Sequence, residues 1–138
     1  MKLTGNASFS IYGKSLDFEL IKEILPISPS KIIRRGEWIG LGNNIRASYD
    51  SWIYDIPAKN NVDLVGALTE LLDILMPCSQ AIKRIKSIYE DTSIQCYLRS
   101  DYGQIGFSLN EEILQKAAQL EIQVDFHILS FGMIENMD

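Results

Sequence analysis

Apolar residues in this chain switch repeatedly between two spacings, and each switch fixes the kind of element that can bury them. Phe9 and Ile11 alternate with Ser8, Ser10 and Tyr12, the period-two pattern of a half-buried strand. From Leu16 the period lengthens: Leu16, Leu20, Ile21, Ile24 and Leu25 form one helical stripe, Asp17 and Glu19 favour its first turn, and Pro26 stops it. Residues 26–42 hold prolines, glycines and the basic residues Lys31, Arg34 and Arg35, which predicts an irregular connection with a short extended piece. Ile45, Ala47 and Tyr49, then Trp52, Tyr54 and Ile56, predict one bent strand or two short ones ending before Pro57, followed by a polar turn over 58–61.

Asp63 can cap a helix with the stripe Leu64, Val65, Leu68, Leu71, Leu72 and Leu75, and Pro77 separates it from a second run bearing Ile82, Ile85 and Ile88, so the two are expected as one kinked helix or a pair. Ile94, Cys96 and Leu98 alternate with Gln95, Tyr97 and Arg99, and Asp101-Tyr102-Gly103 predicts a hairpin turn into Ile105, Phe107 and Leu109. Ser108 stands at capping-box spacing from Glu111, with Asn110 as a competing cap, before a helix carrying Ile113, Leu114, Ala117, Ala118 and Leu120. Val124, Phe126 and Ile128 then alternate with Asp125, His127 and Leu129 in a last strand.

The order is therefore β-α-β(β)-α-α-β-β-α-β. Because each strand is apolar on one face only, the expected fold is α+β: a mostly antiparallel sheet with the helices packed on one face and a second face that is polar and at least partly open. The 138 residues suit one domain over 1–138, with a frayed tail from about 132. A chain of that length buries enough surface to need no disulfide or metal, and Cys78 and Cys96 fit no metal or redox spacing.

The net charge of −5 is unevenly spread: residues 1–60 carry eight Lys/Arg against six Asp/Glu, and residues 61–138 carry five against twelve. Such a surface repels nucleic-acid phosphates and attracts a basic partner. The opening residues lack the apolar core of a signal peptide, and the leucine-rich stretch from Leu64 is interrupted by Thr69, Glu70 and Asp73, so a cytoplasmic protein without membrane contact is expected.

Little in the sequence carries recognisable chemistry. His127 shares a strand face with Asp125, but two residues along a strand stand about 7 Å apart, beyond direct hydrogen bonding, and no Ser or Cys sits in a nucleophile motif. Gly40-Leu41-Gly42 begins like a phosphate loop, yet Ile45 stands where the third glycine belongs and a turn explains it. Glu90-Asp91 and Glu111-Glu112 lack the interleaved oxygen ligands of a calcium loop, so no metal, cofactor or catalytic residue is expected. Lys83, Arg84 and Lys86, like Lys31, Arg34 and Arg35, read as solvated rather than as an anion site; Trp52 reads as core and Trp38 fits core or surface. The candidate site is the polar sheet face, where Tyr12, Gln95, Tyr97, Arg99, Asp125 and His127 point away from the core; tyrosines among mixed charges suit a protein-binding surface.

The chain resembles the bacterial family catalogued as domain of unknown function 4279. The resemblance rests on the strand from Phe9 to Tyr12, on Leu16-Asp17-x-Glu19-Leu20-Ile21 leading to Pro29-Ser30 and Gly36, and on Ser51-Trp52-x-Tyr54 after a variable loop. It continues through the leucine-rich helix from Val62, the strand at Ile94, and Leu109-Asn110-x-Glu112-Ile113-Leu114 running into Val124-Asp125-Phe126-His127-Ile128, and so covers nearly the whole chain. The chain departs from that pattern at Pro26, where such sequences tend to carry glycine, and in its tail past Phe131. The resemblance implies one α+β domain without a known activity, similar to compact bacterial immunity and interaction modules, and transfers no catalytic residue.

The expected function is a non-enzymatic protein-binding module, in its narrower form an immunity protein that occludes a basic toxin. The rival is a small-ligand-binding or enzymatic domain using the polar sheet face, and a third reading is a homodimer through an exposed sheet edge.

Overall fold

In the computed structural model, residues 4–40, 45–57 and 63–133 are described. The elements run β1 (Thr4–Gly13), α1 (Phe18–Ile24), β2 (Lys31–Ile33), β3 (Trp38–Ile39), β4 (Ile45–Arg46), β5 (Asp50–Pro57), α2 (Leu64–Leu75), α3 (Ser79–Ile88), β6 (Asp91–Tyr102), α4 (Glu111–Gln119) and β7 (Gln123–Met133). Five strands form one sheet in the order β2-β5-β1-β6-β7, while β3 and β4 pair separately. Within the large sheet β1 runs antiparallel to β5 and β6, β2 runs antiparallel to β5, and only β6 and β7 are parallel. The α+β class with a largely antiparallel sheet is thus the observed one.

The alternation in β1 places Ala7, Phe9 and Ile11 wholly inside, where they meet Trp52 and Ile56 of β5, Ile94, Cys96 and Leu98 of β6, and the leucines of α2. Asp63 caps α2 by accepting from the Gly66 amide at 3.1 Å, and Leu64, Ala67, Leu68, Leu71, Leu72 and Leu75 give it a fully apolar inner face. A single 3-10 turn, Met76–Cys78, carries Pro77 and joins α2 to α3. The resulting helical run Leu64–Ile88 is long and apolar enough to cross a membrane by length and composition, but Leu64, Leu68, Leu71, Leu72, Leu75, Ile82 and Ile85 are buried in this core, whereas Ile88, expected on the same stripe, is exposed at the end of α3. Trp52 is core, as expected, whereas Trp38 is exposed beneath the Arg46 guanidinium at 4.2 Å.

The expected hairpin after β6 does not form. Residues 104–110 have no strand partner, because both edges of β6 are already taken, one by β1 and the other by β7. Ile105 and Leu109 instead pack against the core, and Phe107 meets Phe126 with ring centroids 5.5 Å apart. The chain returns through α4, the helical crossover that parallel neighbours require. Asn110, not Ser108, caps α4, accepting from the Ile113 amide at 2.9 Å. The end of the Gly40-Leu41-Gly42 sequence, the polar turn over 58–61 and the tail beyond 133 lie outside the described residues; the strand itself continues through Gly132 to Met133.

Asp50, at the start of β5, holds two incoming segments by accepting from the Arg35 amide at 2.6 Å and the Leu16 amide at 2.9 Å. These two backbone donors, with the Arg35 and Arg34 charges, lower its pKa below the ordinary 3.8 against an opposing effect of burial. A carboxyl depressed in the folded state stabilises the fold above its unfolded pKa and loses that contribution as pH falls through its folded value. Asp50→Asn is therefore expected to cost about 1–2 kcal/mol at neutral pH and to flatten the fall in stability below about pH 4, read from urea midpoints across pH.

Candidate functional site

The sheet has one face under the helices and one that bears polar side chains. Register puts the polar set in rows: Asp55, Ser8, Gln95 and Asp125 are successive cross-strand neighbours, and the next row along β1, β6 and β7 is Asn6, Tyr97 and His127. At strand spacing, Asp55 and Asp125 stand about 14 Å apart at the two ends of the first row. All six residues expected on this face, Tyr12, Gln95, Tyr97, Arg99, Asp125 and His127, do lie on it.

Gln95 sits at the centre, only 7% exposed. Its Nε2 donates to Asp125 Oδ2 and to Ser93 Oγ, both at 2.7 Å, and its Oε1 lies 2.5 Å from His127 Nε2. An ionised carboxylate only accepts, so the amide must present its N–H groups to Asp125 and its carbonyl to His127, which makes His127 Nε2 the donor. The Asp125–His127 separation that rules out a direct bond is thus bridged by one buried amide from the neighbouring strand. Gln123 Nε2 donates to the other Asp125 oxygen at 2.8 Å, and no cation pairs with this carboxylate among the described residues.

A chain of rings lies over these groups. His127 stacks on Tyr97 with centroids 4.7 Å apart and planes 15° from parallel, and Tyr12 meets Tyr49 edge-on at 5.6 Å. Burial, and next the negative potential of the Tyr12 hydroxyl, push the Tyr97 phenol up. Between the rows that hold Tyr12 and Tyr97, Ser8, Ser10, Ser93 and Gln95 are buried. The face is closed in the middle and open at its ends. At one end is a groove of about 470 Å³ whose lining includes Tyr12, Lys14, Tyr49, Glu90, Asp91, Gln95, Gln123 and Asp125. At the other is a smaller cleft of about 280 Å³ between Gly5, Tyr97, Arg99, His127 and Leu129.

Arg99 stands apart from the hydrogen-bonded centre; its guanidinium lies 4.9 Å over the Phe131 ring. That ring belongs to an uncharged stretch of β7 in which Ile128, Leu129, Phe131 and Met133 are each at least half exposed. Cys96 lies on the opposite, core side, its thiol pushed up to about 12 by burial and then by the Asp125 charge, and both it and Cys78 are free thiols.

Sequence reasoning missed Asp55, Gln123, Ser93 and Tyr49. Ser93 and Gln123 keep the period-two phase of residues already chosen on β6 and β7, and Asp55 falls in the phase opposite Trp52, Tyr54 and Ile56 on β5; Tyr49 precedes β5, and only the fold carries it to Tyr12.

A family model described as domain of unknown function DUF4279 matches residues 2–131, nearly the whole chain. The chain belongs to this family. No curated protein and no solved structure matches it. The groove, the buried Gln95 bridge and the Tyr97–His127 stack of this DUF4279 domain all lie within the matched residues.

Proposed function

We propose that this DUF4279 domain is a non-enzymatic protein-binding module whose polar sheet face docks a basic protein, in its narrower form a cognate toxin that it inhibits. The reading is carried by the face itself. Helices cover the opposite side of the sheet, while here aromatic rings, fixed carboxylates and the apolar end of β7 lie side by side, the mixture from which protein interfaces are built. The charge of the partner follows from that of the rim: Glu90, Asp91 and Asp125 outnumber Lys14 at the groove, and the chain carries −5 overall.

The test begins with a tagged pull-down from the native cell at low and moderate salt. The partner is expected to be a basic protein near stoichiometry. Its association with the double variant Glu90→Lys, Asp91→Lys is expected to slow by about tenfold at low salt, with the difference shrinking as salt is raised. An acidic partner, or association rates indifferent to those reversals, would overturn the reading. Recovery of the chain bound only to itself would favour pairing through the β7 edge instead.

A further inference from the structure

We propose that the groove beside Tyr12 is a receptor site for a guanidinium group, the arginine side chain of the docked partner. This rests on the protein-docking reading and specifies the chemistry of one subsite within it.

The central observation is an anion fixed in place without a counter-ion. Asp125 is half-buried, and each of its oxygens accepts one amide N–H, from Gln95 at 2.7 Å and from Gln123 at 2.8 Å. Gln95 is itself held by Ser93 at 2.7 Å and His127 at 2.5 Å. A carboxylate offers about four lone-pair directions, so each oxygen keeps one for a ligand. Neutral amides orient this charge but do not compensate it, and no Lys, Arg or His pairs with it among the described residues. Asp91 and Glu90 add two more carboxylates at the groove, against Lys14 as the cation lining it.

The rest of the groove selects among cations. The edge-to-face pair of Tyr12 and Tyr49 supplies ring surface on which a planar, weakly hydrated cation stacks. The two Asp125 oxygens, fixed side by side, match the paired N–H groups of a guanidinium and not the single point charge of an ammonium. A volume of about 470 Å³ leaves room for the side chain that brings it.

The test is a titration of the ¹⁵N-labelled domain with N-acetyl-arginine methylamide, followed through the side-chain amide signals of Gln95 and Gln123. Saturable shifts at both are expected in the millimolar range. They should weaken at least about tenfold with the citrulline analogue, which keeps the length and planarity but not the charge, and be weaker with the lysine analogue. Asp125→Asn should abolish them while Glu111→Gln, on α4, leaves them unchanged. Should Asp125→Asn lose a dispersed spectrum, the exposed Asp91→Asn takes its place and should weaken binding about threefold. Equal shifts with citrulline or lysine, or none with arginine, would overturn the guanidinium site. The two levels separate cleanly: a basic partner without arginine shifts keeps the docking face and removes this subsite, and arginine shifts without any protein partner do the reverse.

Discussion

Phe9→Ala is expected to lower the unfolding free energy by about 3–5 kcal/mol, a large part of the 5–15 kcal/mol typical of a domain. Phe9 is 0% exposed in β1, the middle strand of the sheet, and its ring meets Trp52 edge-on at 5.9 Å. Its cross-strand neighbours are Tyr54 and Ile94, so truncation opens a hole bounded by two other strands as well as by the helical layer. Strands that are hydrogen-bonded on both sides cannot slide in to fill it, which puts the cost at the upper end for such changes. Phe9→Leu keeps most of the volume and should cost under about 1.5 kcal/mol. Urea or guanidinium unfolding of both variants measures the difference; a Phe9→Ala cost below that of Phe9→Leu would mean the core is not packed around this ring.

Gly5→Ala is expected to cost about 3 kcal/mol and to damage the candidate site as well. Gly5 has φ +148°, and a Cβ added there would fall 1.7 Å from the Tyr97 carbonyl oxygen. That oxygen belongs to backbone, which cannot rotate aside, so the β1–β6 ladder has to part where Gly5 faces Leu98. Parting it moves Tyr97, and with it the stack on His127. Loss of stability and loss of partner binding should therefore appear together in Gly5→Ala. Gly106→Ala, where an added Cβ meets nothing within 4 Å, should change neither by more than about 0.5 kcal/mol. Comparing the two variants by denaturation and by partner association checks both halves of the expectation.

Local periodicity made most of the elements legible. The phase of Phe9 and Ile11, of Trp52 and Ile56, and of Cys96 and Leu98 told inside from outside correctly, because a half-buried strand must alternate and a one-residue slip would reverse every side chain. The helix starts at Asp63 and Asn110 were visible for a similar reason, since a capping side chain acts on an amide only a few residues ahead. The segment from Ile105 to Leu109 alternates just as well, yet it is not a strand. Alternation specifies a face to bury and not a partner to bond, and β6 has no edge left to offer.

The candidate site divides along the same line. The sequence by itself determined which side chains share the polar face, because period two along each strand requires it, and it determined the acidic balance of the chain. What only the tertiary structure decided is how those side chains meet: Gln95 spanning Asp125 and His127, His127 stacking on Tyr97, and Tyr49 arriving beside Tyr12. Those contacts depend on strand order and register between segments distant in the chain, and spacing within one strand carries no information about which strand will lie next to it.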